Sequence, residues 1–173
     1  MKRILSVAIM TLALLSSVSC AGGKKPESTE AQASGAKVEW MAFDAAMAQA
    51  AQENRYVVVD FYTDWCKWCK VMDQKTYSDS LVARSIKDNF VAAKIDGESQ
   101  EKITYRGKAM TKAEFTMNMK VSGFPTTLFM DSQGNVIGTL PGYIEAPVFL
   151  KILGYVSTEA YKTVKLDDYL SGK

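Results

Sequence analysis

Trp65-Cys66-Lys67-Trp68-Cys69-Lys70 decides the reading of this chain, because it sets two thiols three residues apart where a strand gives way to a helix. Immediately upstream, Tyr56-Val57-Val58-Val59-Asp60-Phe61-Tyr62 is apolar and β-branched, the composition of a buried strand. Downstream, Cys69-Lys70-Val71-Met72-Asp73-Gln74-Lys75 lacks Gly and Pro and is rich in good helix formers. Cys66 therefore falls at a helix N-terminus, where unpaired amides and the macrodipole favour an anion. A thiolate is such an anion, and it is also the form of cysteine that attacks disulfides. The stretch points to thiol–disulfide exchange.

Other uses of a Cys-x-x-Cys pair fit less well. As a staple, so small a loop would stabilise by only about 2 kcal/mol, against about 4.7 for a loop of a hundred residues. Zinc needs four ligands, usually Cys or His, and the chain has three cysteines and no histidine. Covalent haem attachment needs a histidine directly after the second cysteine, where Lys70 stands. A copper carrier using the dithiol as soft ligands is the alternative from a different class of function. Against it, histidine is absent and the methionines are scattered as core residues are.

The third cysteine belongs to a different segment. Met1-Lys2-Arg3 is a cationic start, residues 4–18 are apolar apart from Ser and Thr, and small residues close the run. Such a segment is too short for a membrane span and reads as a secretory signal over 1–19. Cys20, preceded by Ser17-Val18-Ser19 and followed by Ala21-Gly22-Gly23, resembles the lipidation site of bacterial lipoproteins; ordinary cleavage nearby is the alternative. Residues 20–37 hold no large apolar side chain and read as a flexible tether. Removing Lys2 and Arg3 from the 21 basic residues leaves 19, against 19 acidic ones. That balance gives no reason to expect nucleic acid as a partner. Residues 38–173 are the length of one domain.

Across that domain, Val38-Glu39-Trp40 reads as a short opening strand, followed by a helix over 42–54 and the strand over 56–63. The dithiol helix should break near Thr76-Tyr77-Ser78, with helix resuming over 79–89 and a second buried strand over 90–96. The polar stretch 97–110 reads as an insertion with one helical turn. Thr111-Lys112-Ala113-Glu114 has capping-box spacing and opens a helix toward Lys120. Gly123-Phe124-Pro125-Thr126 leads into a strand ending at Met130, and Asp131-Ser132-Gln133-Gly134-Asn135 turns it back as a hairpin over 136–140. A last amphipathic helix covers 146–156, and the tail carries enough apolar residues to dock. This order predicts an α/β fold, a central mixed sheet flanked by helices, with the two buried strands parallel and the hairpin antiparallel to them.

Three features together resemble the thioredoxin superfamily over about 38–156. They are Val59-Asp60-Phe61 upstream of the first cysteine, Trp-Cys-x-x-Cys-Lys at 65–70, and Gly123-Phe124-Pro125-Thr126 before the hairpin. The longer run through Asp60 to Cys66, with Met72-Asp73 and Tyr77-Ser78-Asp79, is similar to the exported branch. That branch includes the DsbD C-terminal domain and the sulfur-oxidation-associated thioredoxins. Lys67-Trp68 stands where cytoplasmic thioredoxin has Gly-Pro, so a redox potential does not carry over.

The resemblance implies a thioredoxin fold and a thiol–disulfide oxidoreductase, with Cys66 as the partly exposed attacking thiol and Cys69 as the shielded resolving one. It implies that Asp60 is the buried acid assisting proton transfer at Cys69, and that Pro125 is a cis-proline facing the dithiol. Independently, burial in an apolar strand should raise the Asp60 pKa; a carboxylate hydrogen-bonded at a strand end is the alternative. Lys67 and Lys70 flank the pair and either favour a thiolate or form a solvated helix face. Trp65 and Trp68 shield the thiols or form an apolar docking rim; core packing of at least one of them is the alternative. The expected protein is a reductase of disulfides in exported proteins or small thiols, in the bacterial periplasm or cell envelope and lipid-anchored. It needs no cofactor beyond the Cys66–Cys69 disulfide and no metal, and a membrane reductant recycles it. A net thiol oxidase is the enzymatic alternative.

Overall fold

A computed structural model describes residues 37–172. The signal segment, Cys20 and nearly all of the tether lie outside the described residues. A five-stranded sheet in the order β1-β3-β2-β6-β7 forms the centre. β1 (Trp40–Met41), β3 (Phe90–Asp96) and β2 (Tyr56–Tyr62) run parallel. β6 (Thr126–Met130) is antiparallel to β2, and β7 (Val136–Pro141) is antiparallel to β6. This is the mixed sheet expected from the order of apolar runs and turns.

β2 is central, so both of its faces are covered, which is why it reads as an almost continuous apolar run rather than an alternating one. Val57, Val59 and Phe61 pack with Phe43, Ala46 and Ala50 of α1 (Phe43–Glu53) and with Phe115 of α4 (Lys112–Asn118). Val58 faces the other way, against Met72 of α2 (Lys67–Lys75), Ile86 of α3 (Ser80–Asn89), and Phe149 and Leu153 of α5 (Ala146–Ser157). Period-two alternation puts Asp60 on this second face, beneath α2.

The expected break after α2 occurs at Thr76–Asp79, and the Asp79 carboxylate restarts the helix by accepting from the amides of Leu81 and Val82. The capping box is formed at Thr111: its hydroxyl accepts from Glu114 N at 3.0 Å while Glu114 Oε2 accepts from Thr111 N at 2.7 Å. The tail docks as expected. Leu166 and Leu170 of α6 (Leu166–Ser171) pack against the α5 face, and Tyr155 meets Tyr161 and Tyr169.

The stretch 97–110 departs from expectation. Instead of a helical turn it holds a two-stranded hairpin, β4 (Lys102–Tyr105) and β5 (Lys108–Thr111), with Tyr105 opposite Lys108. Arg106 and Gly107 take φ of 51° and 74°, the paired positive values of a tight hairpin turn. Ile103 is buried against the α1 face, with Tyr105 and Met110 packed beside it, while Lys102 and Thr104 face out. That alternation is the driving force: three apolar residues cover the α1–α4 edge, and Asp44 accepts from Thr104 N at 2.8 Å. Among the described residues no helix is long and apolar enough to cross a membrane.

Candidate active site

Cys66 caps the N-terminus of α2, with extended backbone (φ −70°, ψ 104°). Its amide donates to Thr63 O at 3.1 Å, closing the turn that lifts the chain from β2 into the helix. Cys66 and Cys69 are joined as a disulfide, with S–S 2.10 Å and Cα–Cα 5.3 Å. Cys69 N donates to Cys66 Sγ at 3.0 Å. In the reduced form the same amide, with the helix dipole behind it, favours a thiolate at Cys66.

The attacking thiol is buried, contrary to the sequence expectation. Cys66 is not partly exposed in this oxidised form: it is 3% exposed and Cys69 4%. The sulfur of Cys66 turns inward over the first helical turn, where it is bonded to Cys69 and receives the Cys69 amide. The two tryptophans do the opposite of core packing. Trp65 is 67% and Trp68 57% exposed. Trp65 stands edge-on to Phe124 at 6.1 Å and donates from Nε1 to Glu98 Oε2 at 3.0 Å. Trp68 tilts over Tyr143 at 5.5 Å.

The Phe124–Pro125 peptide bond is cis. Pro125 O accepts from Gly142 N at 2.8 Å. Pro125 lines, with Trp68, Phe124, Gly142 and Tyr143, an open, mainly apolar groove of about 360 Å³ beside the dithiol helix. Lys67 and Lys70 point into solvent and make no ion pair among the described residues. Their field at the thiols is therefore screened.

Asp60 is 1% exposed and sits inside the sheet, opposite Lys94 on β3 and Thr127 on β6, not at a strand end. Its Oδ1 accepts from the Tyr77 hydroxyl at 3.2 Å, and its Oδ2 lies 3.6 Å from Lys94 Nζ. Burial pushes its pKa up to about 6. The Lys94 ammonium pulls the other way, the Asp73 carboxylate adds to the rise, and the Tyr77 hydrogen bond opposes it. Lys94 Nζ also reaches Asp73 Oδ1 at 2.5 Å and lies over the rings of Trp40 and Tyr62 at 5.2 and 5.1 Å. Asp73 is 41% exposed at its side chain, so the group runs from the sealed Asp60 to water.

Sequence reasoning passed over Lys94, Asp73, Tyr77, Gly97 and Tyr143 as parts of this site. Lys94 had a usable signal: it interrupts the apolar run of β3 much as Asp60 interrupts β2, and two lone opposite charges in adjacent buried strands call for each other. Gly97 gave none. Its Cα lies directly beneath the Phe124 ring, where an added Cβ would come within 2.4 Å of two ring carbons.

Residues 43–157 match the family described as thioredoxin-like domain. The chain belongs to the thioredoxin-like family. Other members give the likeness its range. The thiol:disulfide interchange protein DsbD of Vibrio vulnificus is 34% identical over 113 residues, a stretch covering 64% of this chain and 18% of that protein. A thioredoxin from Thermus thermophilus superposes with TM-score 0.57 at 28% identity, over 69% of this chain and 87% of its own. The oxidised C-terminal domain of Neisseria meningitidis DsbD superposes with TM-score 0.52 at 24% identity, over 67% and 97%, which speaks for the shared fold. The matched stretch thus spans less than a fifth of that DsbD protein.

Proposed function

We propose that this protein is a thiol–disulfide oxidoreductase that works as a reductase of disulfides in exported proteins or small thiols. The observation carrying the reading is the joining of Cys66 and Cys69 at the N-terminus of α2, beside the Pro125 groove, with the buried Asp60 on the sheet face that α2 covers. Likeness to a thiol:disulfide interchange protein supports it.

In the reaction, the Cys66 thiolate attacks one sulfur of a partner disulfide, forming a Cys66–partner mixed disulfide and expelling a partner thiolate. Cys69 then attacks Cys66 Sγ, its thiol proton passing to the Asp60 carboxylate. The second partner sulfur leaves as thiolate, and the Cys66–Cys69 disulfide remains. The partner gains two electrons and the protein loses two, so each turnover needs a reductant, which we assign to a membrane dithiol. No cofactor enters beyond the disulfide itself. Trp65 with Phe124 and Trp68 with Tyr143 form the rim that a partner chain meets, and Pro125 lies in the groove between. The signal over 1–19 and Cys20 would place the domain on a tether, lipid-anchored in the periplasm or cell envelope.

Cys69→Ser tests the reading. It should accumulate a covalent adduct with a disulfide-bonded peptide through Cys66, seen by mass spectrometry and released by dithiothreitol. Wild-type protein that neither reduces a small aromatic disulfide nor yields this adduct would remove the proposal. A strongly oxidising Cys66–Cys69 potential against glutathione would reverse the direction to oxidase.

A further inference from the structure

We propose that Tyr77 is a positioning residue of the redox centre: its hydroxyl fixes one oxygen of Asp60 and favours the ionised carboxylate over the protonated acid. The inference rests on the reading of Asp60 as proton acceptor for Cys69.

Tyr77 lies in the break between α2 and α3 and is 3% exposed. Its ring is held by the core, with Trp40 edge-on at 4.8 Å and Phe149 edge-on at 5.5 Å. A phenylalanine would make both contacts, so packing does not call for the hydroxyl. That hydroxyl reaches Asp60 Oδ1 at 3.2 Å and lies 3.4 Å from Thr127 Oγ1. An ionised carboxylate accepts only, so the phenol must donate to Asp60, and Thr127 can donate in turn to the phenol oxygen. The arrangement is complete for the charged acid. Protonated Asp60 needs no such donor.

The groups facing Asp60 are few. Lys94 comes from β3, Asp73 from α2 through Lys94, Thr127 from β6, and Tyr77 from the α2–α3 turn. Burial and the neighbouring Asp60 hold the Tyr77 phenol well above its usual range, so Tyr77 remains a neutral donor throughout the working pH range. Each Asp60 oxygen then has one partner, Tyr77 at Oδ1 and Lys94 at Oδ2. Without the phenol, Oδ1 is an unpaired anionic oxygen in a sealed site, and the proton is held to higher pH. Asp60 can receive the Cys69 proton only when ionised, so the pH range for resolving the mixed disulfide moves with it.

The test is Tyr77→Phe, compared with wild type by carbon-13 NMR titration of the Asp60 carboxyl in the oxidised protein. The midpoint should rise by about one pH unit. The acid limb of mixed-disulfide resolution, followed by stopped flow, should move in the same direction, and this dependence on Tyr77 should vanish in an Asp60→Asn background. Near-ultraviolet circular dichroism checks folding. Site-specific 3-fluorotyrosine at position 77, a stronger donor of nearly the same size, should lower the midpoint instead. An unchanged Asp60 midpoint in both variants overturns the proposal. A shifted midpoint with an unshifted resolution profile upholds the Tyr77–Asp60 coupling and removes Asp60 from the resolving step.

Discussion

Replacing Asp60 with Asn should make the protein more stable at neutral pH, and by an amount the site itself sets. The carboxyl stands at about 6 in the folded protein against an ordinary 3.8, because it is sealed between β2, β3, β6 and α2. Folding therefore takes up a proton between those two values, and wild-type stability falls as pH rises from about 4 through 6. At about 1.4 kcal/mol per pH unit, the loss is about 3 kcal/mol by pH 7 and about half a kcal/mol at pH 4. Asparagine is close in shape to the protonated acid, keeps an oxygen for the Tyr77 hydroxyl, and cannot ionise. Lys94 keeps its contact with Asp73. Asp60→Asn should then exceed wild type by about 3 kcal/mol at pH 7, which is roughly 10 °C in Tm for a domain of this size, and by little at pH 4. Urea denaturation of both oxidised proteins at several pH values from 4 to 8 measures the difference directly. A variant less stable than wild type at pH 7, or a difference that does not change with pH, would refute the account of Asp60 as an ionised acid held in the core at a cost.

Gly97→Ala should force the Phe124 ring aside, because the new methyl group would lie 2.4 Å from ring carbons. A cost of about 1–3 kcal/mol and a changed Trp65 emission are expected, since Phe124 is the ring that Trp65 packs against; unchanged Tm and spectrum would contradict the contact. Thr111→Ala removes the hydroxyl that caps α4 and should cost about 1 kcal/mol in chemical denaturation, with equal stability counting against the cap.

The parts of the fold legible in the sequence are those governed by local rules. β2 and β3 announce themselves as apolar runs, the dithiol sits at a strand–helix junction, and Asp79 and Thr111 mark helix starts by their own side-chain chemistry. The β4–β5 hairpin escaped because its turn is Arg106-Gly107, and arginine at positive φ is a weaker signal than the usual Asn. The site divides the same way. Cys66, Cys69, Asp60 and Pro125 could be named from motifs, whereas their supporting residues depend on register across the sheet. Lys94 meets Asp60 only because β2 and β3 pair with those two residues opposite, and Tyr77 reaches the Asp60 face of β2 only because α2 stops after Lys75. The Gly97–Phe124 contact joins residues far apart in sequence, and no spacing rule predicts it.

The Asp60–Lys94 pair is a poor device if stability is all it supplies. Its ions lie 3.6 Å apart, and Lys94 sits closer to Asp73 than to Asp60, so the attraction does not bring the acid back to its ordinary pKa. A well-packed apolar pair in the same two strands would serve the core as well or better. What the carboxyl adds is a proton acceptor that changes state near pH 6, on the sheet face covered by the helix that carries both cysteines. The lysine has a matching place in this arrangement. Held between the Trp40 and Tyr62 rings, it keeps Asp60 from binding its proton too tightly to ionise near neutral pH. Asp73, partly exposed at the far side of Lys94, anchors the ammonium from the solvent side. The roughly 3 kcal/mol that ionised Asp60 costs the fold is tolerable against a stability of about 5–15 kcal/mol, and it is incurred in the state that the proposed reaction needs for a proton to pass from Cys69.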